Sequence, residues 1–323
     1  MRALTYYYSR EQDPVDELQQ GLKTLCDQYG LIFADECIDG DSLLEEKFSA
    51  KVPVVLVGPY HLSSNFTLSE VEVAIRSVIE KDQNTATEVN QQDRFKITWS
   101  ERFAYWFSNA YIWVISLVLF LFVGLAVLAP VLAHQHRDRA ADGIYRFYSI
   151  LCHQLGYRSF YLFGEQAYYP RELAGITGVM SYETATGRDP EDLEFARNMI
   201  GNDSLGYKIA LCQRDLSIYL SMVLFGIFFQ LTGKKIRSLK WYLWFLIALL
   251  PIAIDGFSQL PGLAQGWPTW LIRRESTPFL RVLTGALFGA GTAWYMYPML
   301  EESVKETRYQ LKRKFNIVKR LSL

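Results

Sequence analysis

Polar residues gather in a few places within the long apolar stretches of this chain. Cys152-His153-Gln154 is followed by Arg158 and Gln166, Cys212-Gln213-Arg214-Asp215 forms a second group, and Asp255 with Gln259 precedes Arg274-Glu275-Ser276. Asp255 and Gln259 are four apart and share one helix face. A carboxylate inside an apolar segment is costly unless paired or hydrated, which marks Asp255 as a functional candidate. Asp255, Arg214 and Glu275 are therefore candidate catalytic groups. Asp255 would act as acid or base while Arg214 and Arg274 hold an anionic group. The alternative is a structural ion pair of Asp255 with Arg214 or Arg281. Cys152, His153, Gln154, Arg158, Gln166, Cys212, Asp215, Gln259, Arg274 and Ser276 are the candidate binding residues. Cys152 and Cys212 admit three readings: a disulfide in an oxidising compartment, a soft metal site such as zinc completed by His153, or a redox pair or separately packed thiols. His134 and His136 read as a solvated turn. No nucleophile–base pair can be named.

The elements that must position these groups follow from where the apolar residues lie. The 323 residues are 50% hydrophobic and 21% charged, and the mean hydropathy is near zero, yet charges are absent from 103–133, 216–233 and 282–300. The first stretch exceeds the ~20 residues that span a bilayer. Four spans are expected, at about 109–132, 213–233, 241–260 and 281–300, which excludes a wholly soluble protein. Four cysteines in this length give no disulfide framework for a secreted mini-protein. The short loop 233–240 carries four basic residues and the tail 301–323 is basic. The chain opens on a strand-like segment with no signal peptide. N- and C-termini are therefore expected in the cytoplasm, with 134–212 and 261–280 facing outward. On this count the polar groups converge on one outward cavity. Aromatic residues mixed with Lys96 and Arg102 before the first span read as an interfacial helix within 83–108, after a polar linker at 81–92. Residues 1–92 have a net charge of −9 and the remainder +8. The basic excess can sit beside anionic lipid heads and requires no nucleic acid. Gly285 and Gly289 form a small-xxx-small pattern, read as packing within the bundle.

Residues 1–82 read as β-α-β-α-β-(β)-α. Strands are expected at 3–8, 31–38 and 52–57 and helices at 14–29, 43–48 and 69–79, the last opened by a Ser69–Glu72 capping pattern. This order, with Val52-Pro53 before the third strand, resembles a glutaredoxin-like thioredoxin fold. That family carries Cys-x-x-Cys after the first strand, where this chain has Asp13 and Asp16. Carboxylates cannot exchange disulfides, so the resemblance implies the fold without its redox chemistry. Cys26 and Cys37 read as core residues.

Cys152-His153-Gln154, Arg158-Ser159-Phe160, Gly164 with Gln166, Cys212-Gln213-Arg214 with Ile218-Tyr219, Asp255-Gly256 with Gln259, Arg274-Glu275-Ser276, and Arg281 with Thr284-Gly285 together resemble domain-of-unknown-function family 2085, predicted membrane proteins, over roughly 145–291. The resemblance implies a membrane architecture and no activity. Many members have a second Cys where this chain has Asp215, and compact members lack the insert 167–211, which reads as loop and short helix.

The fold class expected is therefore α+β multi-domain, a degenerate glutaredoxin-like domain followed by an all-α four-span bundle at 109–300 and a basic tail. Three functions compete: a membrane-embedded enzyme or binder acting on an anionic or lipid substrate, a non-catalytic scaffold or sensor using the N-terminal domain to bind a protein partner, and a small transporter subunit, for which no inverted repeat is visible. A second copy of the chain is a further expected partner.

Overall fold

The first strand has both faces covered, and this determines the layers around it. In the computed structural model, which describes residues 2–10, 15–84, 96–260 and 274–321, the chain divides into two units, 1–109 with 304–323 and 110–303. Asp13, the linker from 85 and the segment 261–273 lie outside the described residues, as do the side chains of Asp16 and of 81–84.

In the first unit, β1 (Arg2–Tyr8), α1 (Val15–Tyr29), β2 (Leu31–Cys37), α2 (Ser42–Phe48), β3 (Val54–Val57), β4 (Tyr60–Ser63) and α3 (Leu68–Asn84) follow the expected order. The sheet runs β2-β1-β3-β4. β1 is parallel to β2 and antiparallel to β3, which is antiparallel to β4. Val52–Pro53 is a cis peptide. The period of two sends Leu4 and Tyr6 to one face, with Leu22, Cys26, Val55, Val71 and Ile75. Tyr7 goes to the other face, with Ile38, Leu44, Phe48, Val54 and Tyr309. Cys26 is core as expected, whereas Cys37 is half-buried and donates to Asp39 Oδ2 at 3.3 Å. The capping pair of α3 is Thr67 with Glu70: the Thr67 N–H donates to Glu70 Oε2 at 2.8 Å and the Glu70 N–H to Thr67 Oγ1 at 3.3 Å. The pair lies two residues before the expected Ser69–Glu72.

The second unit departs from the expectation of four spans. Among the described residues two helices are long and apolar enough to cross a membrane, α4 (Trp99–His134) and α8 (Gln213–Leu231). The expected interfacial helix is the first part of α4, with no break at 108. The third expected span is α9 (Trp241–Trp244), a π-helical turn over Phe245–Leu249 and α10 (Leu250–Phe257). Its 17 residues rise about 26 Å, short of a ~30 Å hydrocarbon core. The fourth lies in α11 (Pro278–Leu321), which is 44 residues long. Its charge-free part contains Gly285, Gly289, Gly291, Thr284, Thr292, Trp294, Tyr295 and Tyr297, and lack of charge is not apolarity.

The region is not all-α either. After α5 (Asp138–Ser149) come β5 (Ser159–Leu162), α6 (Tyr182–Thr186), α7 (Leu193–Asn198), β6 (Gly201–Asn202) and β7 (Gly206–Cys212). The strands form an antiparallel sheet ordered β5-β7-β6. The insert read as loop and helix thus holds the central strand, which runs directly into α8. Gly285 and Gly289 pack within this unit as expected: a Cβ at Gly285 would lie 2.6 Å from Arg214 O, and one at Gly289 2.2 Å from Ile218 O. The two glycines let α8 and α11 touch backbone to backbone.

Candidate functional site

Two buried carboxylates organise the polar residues of the second unit. Glu275, 2% exposed, stands just before α11. Arg158 donates to both of its oxygens, at 2.9 and 3.1 Å. Arg281, one and a half turns on, donates to Oε1, and Arg171 approaches Oε2 at 3.6 Å. Asp255, on α10, accepts from Arg214 and from Ser276 Oγ at 3.0 Å, with Arg274 3.5 Å from its Oδ1. Gln259 joins the two groups. Its amide nitrogen donates to the Asp255 carbonyl at 2.6 Å and its oxygen faces Arg281 at 3.5 Å. Five arginines thus serve two carboxylates. Buried charge survives when paired and hydrogen-bonded, and here positive charge is in excess.

A cavity of about 230 Å³ opens beside this network. Cys152, His153, Gln154, Leu155, Arg158, Cys212, Arg214, Asp215 and Arg281 are among its lining residues. Chain geometry explains the meeting. Cys212 ends β7 and caps α8, its sulfur accepting from the Asp215 N–H at 3.5 Å, so Asp215 lies one turn above it. Cys152 follows α5, whose buried face packs on β7. The ligand atoms of Cys152, Cys212 and Asp215 lie within 4.8 Å of one another. The neighbouring Cys152 thiol and, after it, burial push the Cys212 thiol well up from its ordinary range. Both thiols are free, so the disulfide reading does not describe this structure. The three groups can coordinate a metal ion. Two sulfurs and one carboxylate suit a borderline-soft ion, and three protein ligands leave a position open. His153 is exposed on the cavity wall and is not in the set. Asp215 offers the third candidate ligand atom.

The remaining sequence candidates are placed elsewhere. Gln154 takes a left-handed φ of 52°, and its amide bridges the Tyr145 and Ala210 carbonyls at 3.0 and 2.9 Å. It braces the Cys152 loop on β7. Gln166 clamps the insert, accepting from the Met180 N–H at 2.7 Å. Glu275 is absent from the described lining of the cavity. Sequence reasoning missed Arg171, which carried no motif, and Lys208. Lys208 is 1% exposed and donates to the carbonyls of Gln154 at 2.7 Å and Arg197 at 2.5 Å. Burial holds its pKa down to about 7. A single lysine in the run Tyr207–Leu211 was the available signal.

Comparison with known proteins agrees with the membrane character of this unit. A family described as "Predicted membrane protein (DUF2085)" matches residues 204–295. An uncharacterised protein of Methanocaldococcus jannaschii is 28% identical over 202 residues, covering 59% of this chain and 94% of the relative. No solved structure matches. The chain is thus similar to membrane proteins of unknown function, and α4 and α8 supply the apolar helices for such an association.

Proposed function

We propose that this membrane-associated protein binds a metal ion at Cys152, Cys212 and Asp215 and holds an anionic ligand beside it against Arg158, Arg214 and Arg281. One observation carries the reading: all six side chains line a single cavity, and three of them have ligand atoms close enough to share an ion. A bound metal would supply Lewis-acid polarisation of the ligand. The protein supplies orientation. Asp255 fixes Arg214, and Glu275 fixes Arg281 and Arg158, so these cations are held in place before a ligand arrives and pay little ordering entropy. In this reading Asp255 and Glu275 position arginines. The N-terminal unit reads as a glutaredoxin-like fold without thiol chemistry that binds a protein partner. Both chain ends belong to one unit, which supports termini on the same side of the membrane, and the basic loop 233–240 supports the cytoplasm.

Metal analysis and phosphate titration of the full chain in detergent test this. About one zinc per chain is expected, lost in Cys152→Ser and Asp215→Asn, together with phosphate stabilisation that Arg214→Gln abolishes. A wild-type protein that takes up no zinc ends the metal reading, and phosphate stabilisation unchanged in Arg214→Gln ends the anion reading.

A further inference from the structure

A second cavity lies on the other side of the Arg214–Asp255 pair. Its volume is about 340 Å³, within the ~300–1,000 Å³ of small-molecule sites, and its described lining is Leu250, Pro251, Ile254, Asp255, Arg274, Leu280 and Thr284. The chemistry is divided. Four large apolar residues of α10 and α11 form most of the wall. Arg274, with its side chain 39% exposed, stands at the polar end, steadied by a 2.6 Å hydrogen bond to Ser258 Oγ. Among the described residues Asp255 Oδ1 is buried and accepts no hydrogen bond, its nearest cation being Arg274 at 3.5 Å, although its partner oxygen accepts from Arg214 and Ser276. A buried carboxylate oxygen without a donor is uncommon and asks for a partner. On the same two helices Ile254 is 61%, Phe257 71% and Phe279 72% exposed, apolar side chains of the kind lipid tails cover. The π-helical turn Phe245–Leu249 immediately precedes the wall, and such turns occur frequently at functional sites.

We propose that this cavity binds an anionic phospholipid with a hydroxyl-bearing headgroup, of the phosphatidylglycerol type. The phosphate accepts from Arg274, a headgroup hydroxyl donates to Asp255 Oδ1, and an acyl chain lies along Leu250, Ile254 and Leu280. Arg214, from the first cavity, pairs directly with Asp255, while Arg274 stands 3.5 Å from it, so the Arg274 charge faces an anionic headgroup. Arg214 lines the first cavity and holds Asp255 in the second, so this ion pair is the partition between the two. The proposal stands independently of the metal reading, because none of the three metal ligands is in the described lining of this cavity.

The test is lipid retention by the full chain. The protein is purified in detergent, exchanged into nanodiscs containing phosphatidylcholine with small additions of phosphatidylglycerol, and the co-purifying lipid is counted by native mass spectrometry. Enrichment of phosphatidylglycerol about tenfold over its bulk fraction is expected. Arg274→Ala should abolish it and Arg274→Lys retain part of it. Leu280→Trp, which fills the cavity without touching an ion pair, should also remove it while circular dichroism stays unchanged. Glycerol 3-phosphate, with the headgroup chemistry and no chain, should not compete at equal concentration. Equal retention of the two lipids, retention unaffected by Arg274→Ala or by Leu280→Trp, or full competition by glycerol 3-phosphate would each overturn the proposal.

Discussion

Glu275 and Lys208 show the two ways a buried charge is tolerated here. Glu275 has three arginines, and Glu275→Gln leaves them without their shared counter-charge. Breaking a buried pair on one side costs about 3–5 kcal/mol. The expected outcome is a lower thermal midpoint of the detergent-solubilised chain, with Glu275→Asp intermediate. Lys208 instead has two carbonyls and a pKa held near 7. Below about pH 7 folded and unfolded chains both carry the proton and the cost of burial is borne in full. Between about 7 and 10.5 the unfolded chain binds more protons, so stability rises with pH, by up to about 1.4 kcal/mol per unit from this group. Thermal midpoints measured across that window should climb in wild type and climb less in Lys208→Met. The comparison is of slopes, because methionine leaves two carbonyls without their donor. Equal slopes would show that Lys208 is not the titrating group.

Among the elements, α11 contributes to both units. Its last part brings Tyr309 against Tyr7 and Phe48, at ring separations of 6.4 and 5.8 Å, and completes the second face of the N-terminal sheet. The lysines expected beside lipid heads pair with carboxylates within this unit: Lys305 with Glu46, Lys312 with Asp41, and Lys314 with Glu101 at 2.6 Å. Exposed ion pairs contribute little, so the aromatic contact should dominate. Tyr309→Ala is expected to cost about 3–5 kcal/mol, as for other buried aromatics, and to speed hydrogen exchange in β1 and β3 while β5 and β7 keep their protection. The N-terminal elements were legible because short, alternating strands and amphipathic helices declare their period. The stretch 241–260 is apolar but its helix, Trp241–Phe257, is too short to qualify as a span, whereas 281–300 is free of charge without being apolar, since glycine, threonine, tyrosine and tryptophan fill much of it. β7 was missed because its residues fell inside an insert judged by its polar surroundings.

For the whole molecule, the acidic beginning and basic end balance inside one unit, while the chemistry-bearing residues belong to the other. The ion pair of Asp255 with Arg214 was readable from the polar residues breaking apolar runs. The other partners were not, since Arg171, Lys208 and the pairing of Asp215 with the two thiols depend on β7 and its junction with α8. The central claim, a metal held by two thiols and a carboxylate in an arginine-lined cavity, is tested most directly by cobalt(II) absorption of the intact chain in detergent. One equivalent should produce thiolate-to-cobalt bands of a two-sulfur site, shifted by added phosphate, and absent when both Cys152 and Cys212 are serine. No thiolate band, or a band that survives in the double-serine protein, would contradict it.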